Sequence, residues 1–148
     1  MTKDAEVTRN LVKTLENGKE GFTRAAEKLA ESERPDMARL FTEFAEQRAT
    51  FAQDLRSMAA SYGDETPDSG SMAGAIHRGW MSVKDALSGS DPGAVLDAAE
   101  QGEDHAVSEY EGSLAAEISQ GLRLVLERQY LEVKKAHDTV RSLRDVAS

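Results

Sequence analysis

Apolar residues recur along most of the chain at steps of three, four and seven positions, the spacing that places them on one face of an α-helix. The clearest case lies within residues 37–58, at Phe41, Phe44, Phe51, Leu55 and Met58. Similar stripes run over residues 4–30, 71–88 and 92–116, and from residue 118 or 119 to near the C-terminus. The pattern therefore predicts helices throughout, and no stretch shows the period-two alternation of a β-strand.

Turn-forming residues separate these stretches. The short break at residues 32–35 (SERP) predicts an antiparallel hairpin of the first two helices, with Pro35 suited to a helix start. The connection over about residues 63–93 is longer, and breaker-rich segments flank its own short helical stripe. We therefore predict one all-α domain over residues 1–148, an up–down four-helix bundle with a helical crossover between its second and third helices.

Composition narrows the possible functions. The chain has 148 residues and a net charge of -9, which argues against binding to nucleic acid or to an anionic membrane surface. It contains no cysteine, which excludes disulfides, thiol nucleophiles and Cys-ligated metals. The first ten residues lack the apolar segment of a signal peptide, and no apolar run approaches the roughly 20 residues of a membrane span. We expect a cytoplasmic protein.

Polar residues interrupt the apolar stripes near the middle of the predicted bundle. Arg48 stands between two phenylalanines of its stripe, and Glu103 and Gln129 take similar positions on later helices. A count of about 1.5 Å per residue from each hairpin turn places Glu20, Arg48, Glu103 and Glu132 near the middle of the bundle, with Gln129 one turn away. Because a buried unpaired ion is costly, Arg48 needs a partner. We predict a buried polar layer around Arg48 in which Glu103 is the main partner, with Glu20 or Glu46 next and Gln129 supplying hydrogen bonds.

A metal centre is the alternative interpretation of this layer. Di-iron and di-manganese bundles place Glu on two helices and Glu-x-x-His on the other two. In this chain Glu46 is followed three residues later by Ala49, and Glu132 by Lys135. A guanidinium in the cavity also repels a divalent cation. We therefore favour an ion-pair network that fixes helix register. A small-molecule carrier with an apolar pocket beside Arg48 is a third possibility.

The remaining candidates for chemistry are three histidines and one tyrosine. We interpret His77 as a packing residue of the crossover and His105 as a solvated side chain. His137 precedes Asp138 near the apolar stripe of the last helix, but no Ser or Cys nucleophile can be placed beside this pair. Tyr110 faces the core, so we predict a packing aromatic whose hydroxyl is hydrogen-bonded to a neighbour.

Several segments together resemble the bacterial DUF2383 family, over nearly the whole chain. In order they read LENGKEGFTRAAE, LFTEFAEQRATFAQDL, GSMAGAIHRGWMSVKDAL, EQGEDHAVSEYEGSL and VKKAHDTVRSLRD. The resemblance implies a four-helix bundle of the ferritin-like superfamily, with relatives among stress-induced proteins, and it implies no established activity.

The resemblance also bears on cofactors and partners. The di-iron residues of the superfamily would fall near Glu20, Glu46, Glu103 and Glu132, but the histidines of that motif are missing from their places. We therefore expect a non-enzymatic, stress-associated bundle protein without a cofactor, with iron or manganese as the alternative. Bundles of this class often pair, so a homodimer is a further expectation, and the sequence identifies no other protein partner.

Overall fold

The computed structural model of the protein describes residues 3–31, 34–61 and 92–147. This part of the chain forms four α-helices: α1 (Asp4–Glu31), α2 (Pro35–Ser61), α3 (Pro92–Ala115) and α4 (Gln120–Ala147). These limits lie within two residues of the predicted ones, and no strand occurs among the described residues. The prediction of an all-α four-helix bundle is confirmed.

The turn residues explain where the helices begin. Pro35 and Pro92 are the first residues of α2 and α3, where the missing N–H of proline removes no helical hydrogen bond. Ser119 caps α4, because its hydroxyl oxygen accepts a hydrogen bond from the N–H of Leu122 at 3.3 Å. Local sequence is therefore sufficient to set these three helix starts.

Contacts at one end of the bundle establish the direction of each helix. The N–H of Ser119 donates to the carboxylate of Asp4 at 2.8 Å, and the N–H of Lys3 donates to the carbonyl of Glu117 at 2.9 Å. The start of α1 therefore lies beside the turn between α3 and α4. Helices α1 and α4 run away from this end, whereas α2 and α3 run toward it.

Helix neighbours follow from this arrangement. Helix α1 packs against both α2 and α3, and α3 packs against α4. Helices α2 and α3 therefore face each other across the bundle, and α2 ends at the opposite end from the start of α3. The predicted crossover, with the helical stripe of residues 71–88 and His77, falls in residues 62–91, outside the described part of the chain.

The buried apolar side chains form two clusters, one toward each end of the bundle. Cluster 1, beside the α1–α2 turn, includes Phe22, Leu29, Phe41, Leu96 and Val140. Cluster 2, beside the α3–α4 turn, includes Leu11, Leu15, Leu55, Leu122 and Leu126. Every helix contributes to both clusters, and Arg48 of α2 and Glu103 of α3 lie between the cluster 1 and cluster 2 residues of their helices. None of the four helices combines the length and the apolar character that crossing a bilayer requires.

Candidate functional site

A bidentate ion pair occupies the middle of the core. Arg48 of α2 donates through Nη1 to Oε1 of Glu103 at 2.5 Å and through Nη2 to Oε2 at 2.6 Å. The two side chains are only 1% and 0% exposed. The planar guanidinium matches both carboxylate oxygens at once, the strongest arrangement for such a pair. The pair joins helices that face each other across the bundle.

Two further groups complete the environment of the guanidinium. Its Nε donates to the side-chain oxygen of Gln47 at 3.2 Å. Cζ of Arg48 lies over the ring of Phe22, 5.2 Å from the ring centroid, which is within the range of a cation–π contact. Phe22 also meets the ring of Phe41 edge to face at 5.3 Å. The carboxylate of Glu103 therefore neutralises the charge of Arg48, and the ring of Phe22 adds a cation–π contact.

A second, neutral hydrogen-bonded pair includes Tyr110, which lies two turns after Glu103 on α3. The hydroxyl of Tyr110 donates to Oε1 of Gln129 at 2.8 Å, and Nε2 of Gln129 donates to the carbonyl of Phe51 at 3.4 Å. Burial raises the pKa of Tyr110 above its ordinary value, while the charge of Arg48 lowers it and that of Glu103 raises it by smaller amounts. The phenol therefore stays protonated, and the prediction of a hydrogen-bonded core tyrosine is confirmed.

The structure places two of the predicted layer residues outside the core. Glu20 is exposed and pairs with Arg24 one turn along α1 at 2.9 Å, and Glu46 is also exposed. Each lies two residues from a buried side chain, Phe22 and Arg48 respectively. Two residues correspond to about 200° around a helix, so the glutamates point outward although their heights match. Their assignment to the buried layer is wrong, and the layer consists of Arg48, Glu103, Tyr110 and Gln129.

The four carboxylates suggested for a di-metal centre do not converge either. Besides Glu20 and Glu46, Glu132 lies on the outside of α4, where Lys135 pairs with it at 3.5 Å. Glu103 alone of the four faces the core, and both of its oxygens accept hydrogen bonds from Arg48. These residues do not fit a carboxylate-bridged centre.

The carrier hypothesis required an apolar pocket beside Arg48. A groove of about 390 Å³ lies between α2 and α4, and its wall includes Phe51, Met58, Val125 and Gln129. Arg48 is not among the residues that line it. The groove meets the polar layer only through the Gln129 side chain, so its position differs from the one that the hypothesis needs.

A second polar cluster, which the sequence reasoning missed, lies between α3 and α4. It consists of Glu100, Asp104 and His137, whose ligand-type atoms all lie within 4.8 Å of one another. Nε2 of His137 is 2.5 Å from Oδ1 of Asp104 and 3.8 Å from Oε1 of Glu100. Glu100 and His137 are buried, whereas Asp104 is 52% exposed. We call these three residues the histidine cluster.

Charged side chains surround the histidine cluster. Nδ1 of His137 is 3.1 Å from Oδ1 of Asp138, and the hydrogen bond with His137 lowers the pKa of the Asp138 carboxyl. On the other side, Arg144 donates to Oε2 of Glu100 at 2.8 Å, and Nε of Arg141 lies 3.4 Å from Oε1. The cluster is thus built from two helices. The carboxylate of Asp138 contacts the imidazole, and the guanidinium groups of Arg141 and Arg144 contact Glu100.

Comparison with known proteins gives the family. The profile described as Domain of unknown function (DUF2383) matches residues 5–116. The chain belongs to the DUF2383 family. No curated protein matches the chain. The DUF2383 match covers α1, α2 and α3 but ends before α4, so it is shorter than the resemblance over nearly the whole chain that the sequence led us to expect.

Only some of the polar residues of the core lie within the DUF2383 match. Arg48, Glu103 and Tyr110 lie within the matched residues, whereas Gln129 and His137 lie on α4 beyond its end. A signal for the histidine cluster was present in the sequence, because Glu100 and Asp104 are four residues apart and therefore share a helix face. The sequence did not show that this face meets His137.

Proposed function

We propose that this DUF2383 protein is a non-enzymatic, stress-associated bundle of the ferritin-like type, whose Arg48–Glu103 pair takes the place of a di-metal centre. The observation that carries the proposal is that both oxygens of the Glu103 carboxylate are hydrogen-bonded to Arg48. Both of its oxygens accept hydrogen bonds from a guanidinium that is itself buried. A metal ion at Glu103 has to displace Arg48, which would then lose the partner that both hydrogen bonds provide.

The energetics of the pair favour a structural role. Desolvation of two ions offsets most of their mutual attraction, so a buried pair adds little net stability compared with apolar residues. Separation of the two side chains is costly, because each charge is then buried without a partner. Any other helix register separates them and is therefore unfavourable. We propose that the pair holds α2 and α3 at one register, so that the bundle presents a fixed surface to its partners.

Other parts of the proposal have separate support. Helix α2 ends at one end of the bundle and α3 starts at the other, so one long connection must join them. A single long connection is typical of ferritin-like bundles, which supports that type. The family resemblance supports the stress association. The family resemblance also supports a bacterial source, and a composition without cysteine is compatible with the cytoplasm. Protein abundance in the source cells after heat, acid and oxidant exposure tests the association, and unchanged abundance in all three would contradict it.

Metal analysis of protein purified without chelators tests the central part of the proposal. The informative variant carries Arg48→Met and Glu103→Leu together, because it removes both charges and keeps the core apolar. We expect the double variant and the wild type to hold the same amount of iron and manganese. A stoichiometric content in the wild type that disappears in the double variant would show that Glu103 holds a metal.

We also propose that two copies pair through α4. Leu124 and Leu131 are exposed large apolar residues spaced seven positions apart, which places them on one face of that helix. Light scattering coupled to size exclusion measures the mass directly. We expect a dimer in the wild type and a monomer when both leucines are replaced by glutamate, and a monomeric wild type contradicts the pairing.

A further inference from the structure

We propose that the histidine cluster binds one divalent transition-metal ion, through Oε1 of Glu100, Oδ1 of Asp104 and Nε2 of His137. This site is separate from the Arg48–Glu103 pair and does not depend on the proposed function. The three atoms come from two packed helices, and Glu100 and Asp104 are one turn apart on α3. Helix backbones fix ligand positions more closely than loops do.

The orientation of the imidazole is the first argument. Oδ1 of Asp138 lies 3.1 Å from Nδ1 of His137, in position to accept a hydrogen bond from the tautomer that carries its proton on that nitrogen. Nε2 then presents a lone pair to Oδ1 of Asp104 at 2.5 Å and to Oε1 of Glu100 at 3.8 Å. A positive charge among these acceptor atoms, from a proton on Nε2 or from a metal ion, removes their repulsion, and a metal ion bound there would displace that proton.

The distances suit a small ion after a modest adjustment. Zn²⁺ binds imidazole nitrogen and carboxylate oxygen at about 2.0–2.2 Å, so neighbouring ligand atoms are separated by roughly 3–3.5 Å. Nε2 lies 2.5 Å from Oδ1 of Asp104, which is shorter than this range, and 3.8 Å from Oε1 of Glu100, which is longer. Side-chain rotation of the half-exposed Asp104 is sufficient to open the shorter one.

The surroundings resemble those of known metal ligands. A histidine that binds a metal usually donates its other N–H to a carboxylate, which fixes the ring and raises its basicity. Asp138 occupies that position here. Arg144 donates to Oε2 of Glu100 at 2.8 Å, whereas Oε1, which faces the cluster, accepts only long hydrogen bonds of 3.4 Å from Arg141. Two buried ligands with one solvent-facing ligand also provide an entry path and leave coordination positions for water.

The ligand types indicate the class of ion. Imidazole favours Zn²⁺ and its transition-metal neighbours over Mg²⁺ and Ca²⁺, which prefer oxygen alone. One opposing charge is Arg141, whose Nε lies 3.4 Å from Oε1 of Glu100. Its side chain is mostly outside the core, so it weakens the site without blocking it.

Zinc titration in competition with a chelating dye tests the site. We expect one equivalent bound by the wild type and at least tenfold weaker binding in His137→Gln and in Asp104→Asn. Asp138→Asn, which removes a positioning residue, is expected to weaken binding about tenfold. Arg141→Gln is expected to tighten it severalfold, because a competing positive charge is lost.

Matched controls separate this site from general attraction of cations to an acidic protein. His105→Gln changes the other described histidine, and Glu132→Gln changes an exposed carboxylate of α4, so neither is expected to alter the affinity. Circular dichroism checks that each variant is folded. Asp104 is half exposed, so its variant stays informative if the buried His137 variant unfolds. The proposal is overturned if the wild type binds no stoichiometric zinc, or if Asp104→Asn binds it as tightly as the wild type.

Discussion

At the scale of single residues, the polar layer is stable because its buried groups satisfy one another. Arg48 and Glu103 cancel their charges, and the hydroxyl of Tyr110 bonds to Gln129. A buried donor or acceptor that loses its partner costs about 1–3 kcal/mol, which is more than the hydrogen bond itself contributes. Each residue of the layer is therefore sensitive to the replacement of its neighbour.

Tyr110→Phe tests the neutral half of the layer. It leaves Oε1 of Gln129 without its donor, so we expect a loss of about 1–3 kcal/mol in the free energy of unfolding at neutral pH. The folded-state pKa of Tyr110 is raised above its ordinary 10.0, so its contribution is complete below pH 10 and is lost as pH rises beyond that value. Urea unfolding at several pH values measures both effects. When the pH is raised from neutral to above 10, the free energy of unfolding is expected to fall less in the variant than in the wild type.

Tyr130→Phe is the matched control. Its hydroxyl donates to Oε2 of Glu111 at 2.7 Å on the protein surface. Surface substitutions of this kind change stability by about 0.5 kcal/mol or less. Equal losses in the two variants at neutral pH would contradict the importance given to the buried position of Tyr110.

Residue positions show what the sequence could predict about the site. Arg48 was identifiable because a charge interrupts an apolar stripe, and Glu103 because it does the same on a facing helix. Residue counts predict the height of a side chain along the bundle but not the direction in which it points. Glu20 and Glu46 have suitable heights, but they point outward from their helices. The meeting of Glu100 with His137 depends on the relative rotation of α3 and α4, which local patterns do not contain.

At the scale of helices, the start of α1 is attached to the distant turn between α3 and α4. The carboxylate of Asp4 accepts a hydrogen bond from Ser119, 115 residues away in sequence. Asp4 is buried, although it also belongs to the acidic first turn of α1. This contact ties the first hairpin to the second.

Asp4→Ala tests that attachment. We expect a loss of about 1–3 kcal/mol, because the N–H of Ser119 loses its acceptor at a partly buried position. Glu6→Ala is the control, since Glu6 lies in the same first turn but is exposed, and its loss should be limited to a few tenths of a kcal/mol from the helix dipole. Denaturant midpoints measure both, and a Glu6 variant as unstable as the Asp4 variant would show that the dipole alone matters.

Helix limits were the most predictable feature of the fold. Proline at the start of α2 and α3, and serine before α4, act through the backbone of the next few residues, so their effect is visible in the sequence. The Asp4–Ser119 contact was not predictable, because it depends on how two hairpins meet. The sequence suggested only that Asp4 or Thr2 caps α1.

At the scale of the whole molecule, two apolar clusters flank one polar layer. Every helix passes through both clusters, so neither can be exposed without unwinding helices that support the other. The architecture therefore predicts that the bundle unfolds as one cooperative unit.

Leu29→Ala in cluster 1 and Leu122→Ala in cluster 2 test this cooperativity. Both leucines are completely buried, so each variant is expected to lose about 2–5 kcal/mol. Far-UV circular dichroism should report one urea transition in each case, shifted to a lower midpoint with an unchanged slope. Two separate steps in either variant would mean that the clusters unfold independently.

A double-mutant cycle on the central pair tests the account most directly, with the free energy of unfolding as its readout. We expect Arg48→Met and Glu103→Leu each to lose about 3–5 kcal/mol, because each leaves one buried charge without its partner. The combined variant should regain most of that loss and unfold close to the wild type. If the combined variant instead loses the sum of the two single losses, Arg48 and Glu103 do not neutralise each other in the core.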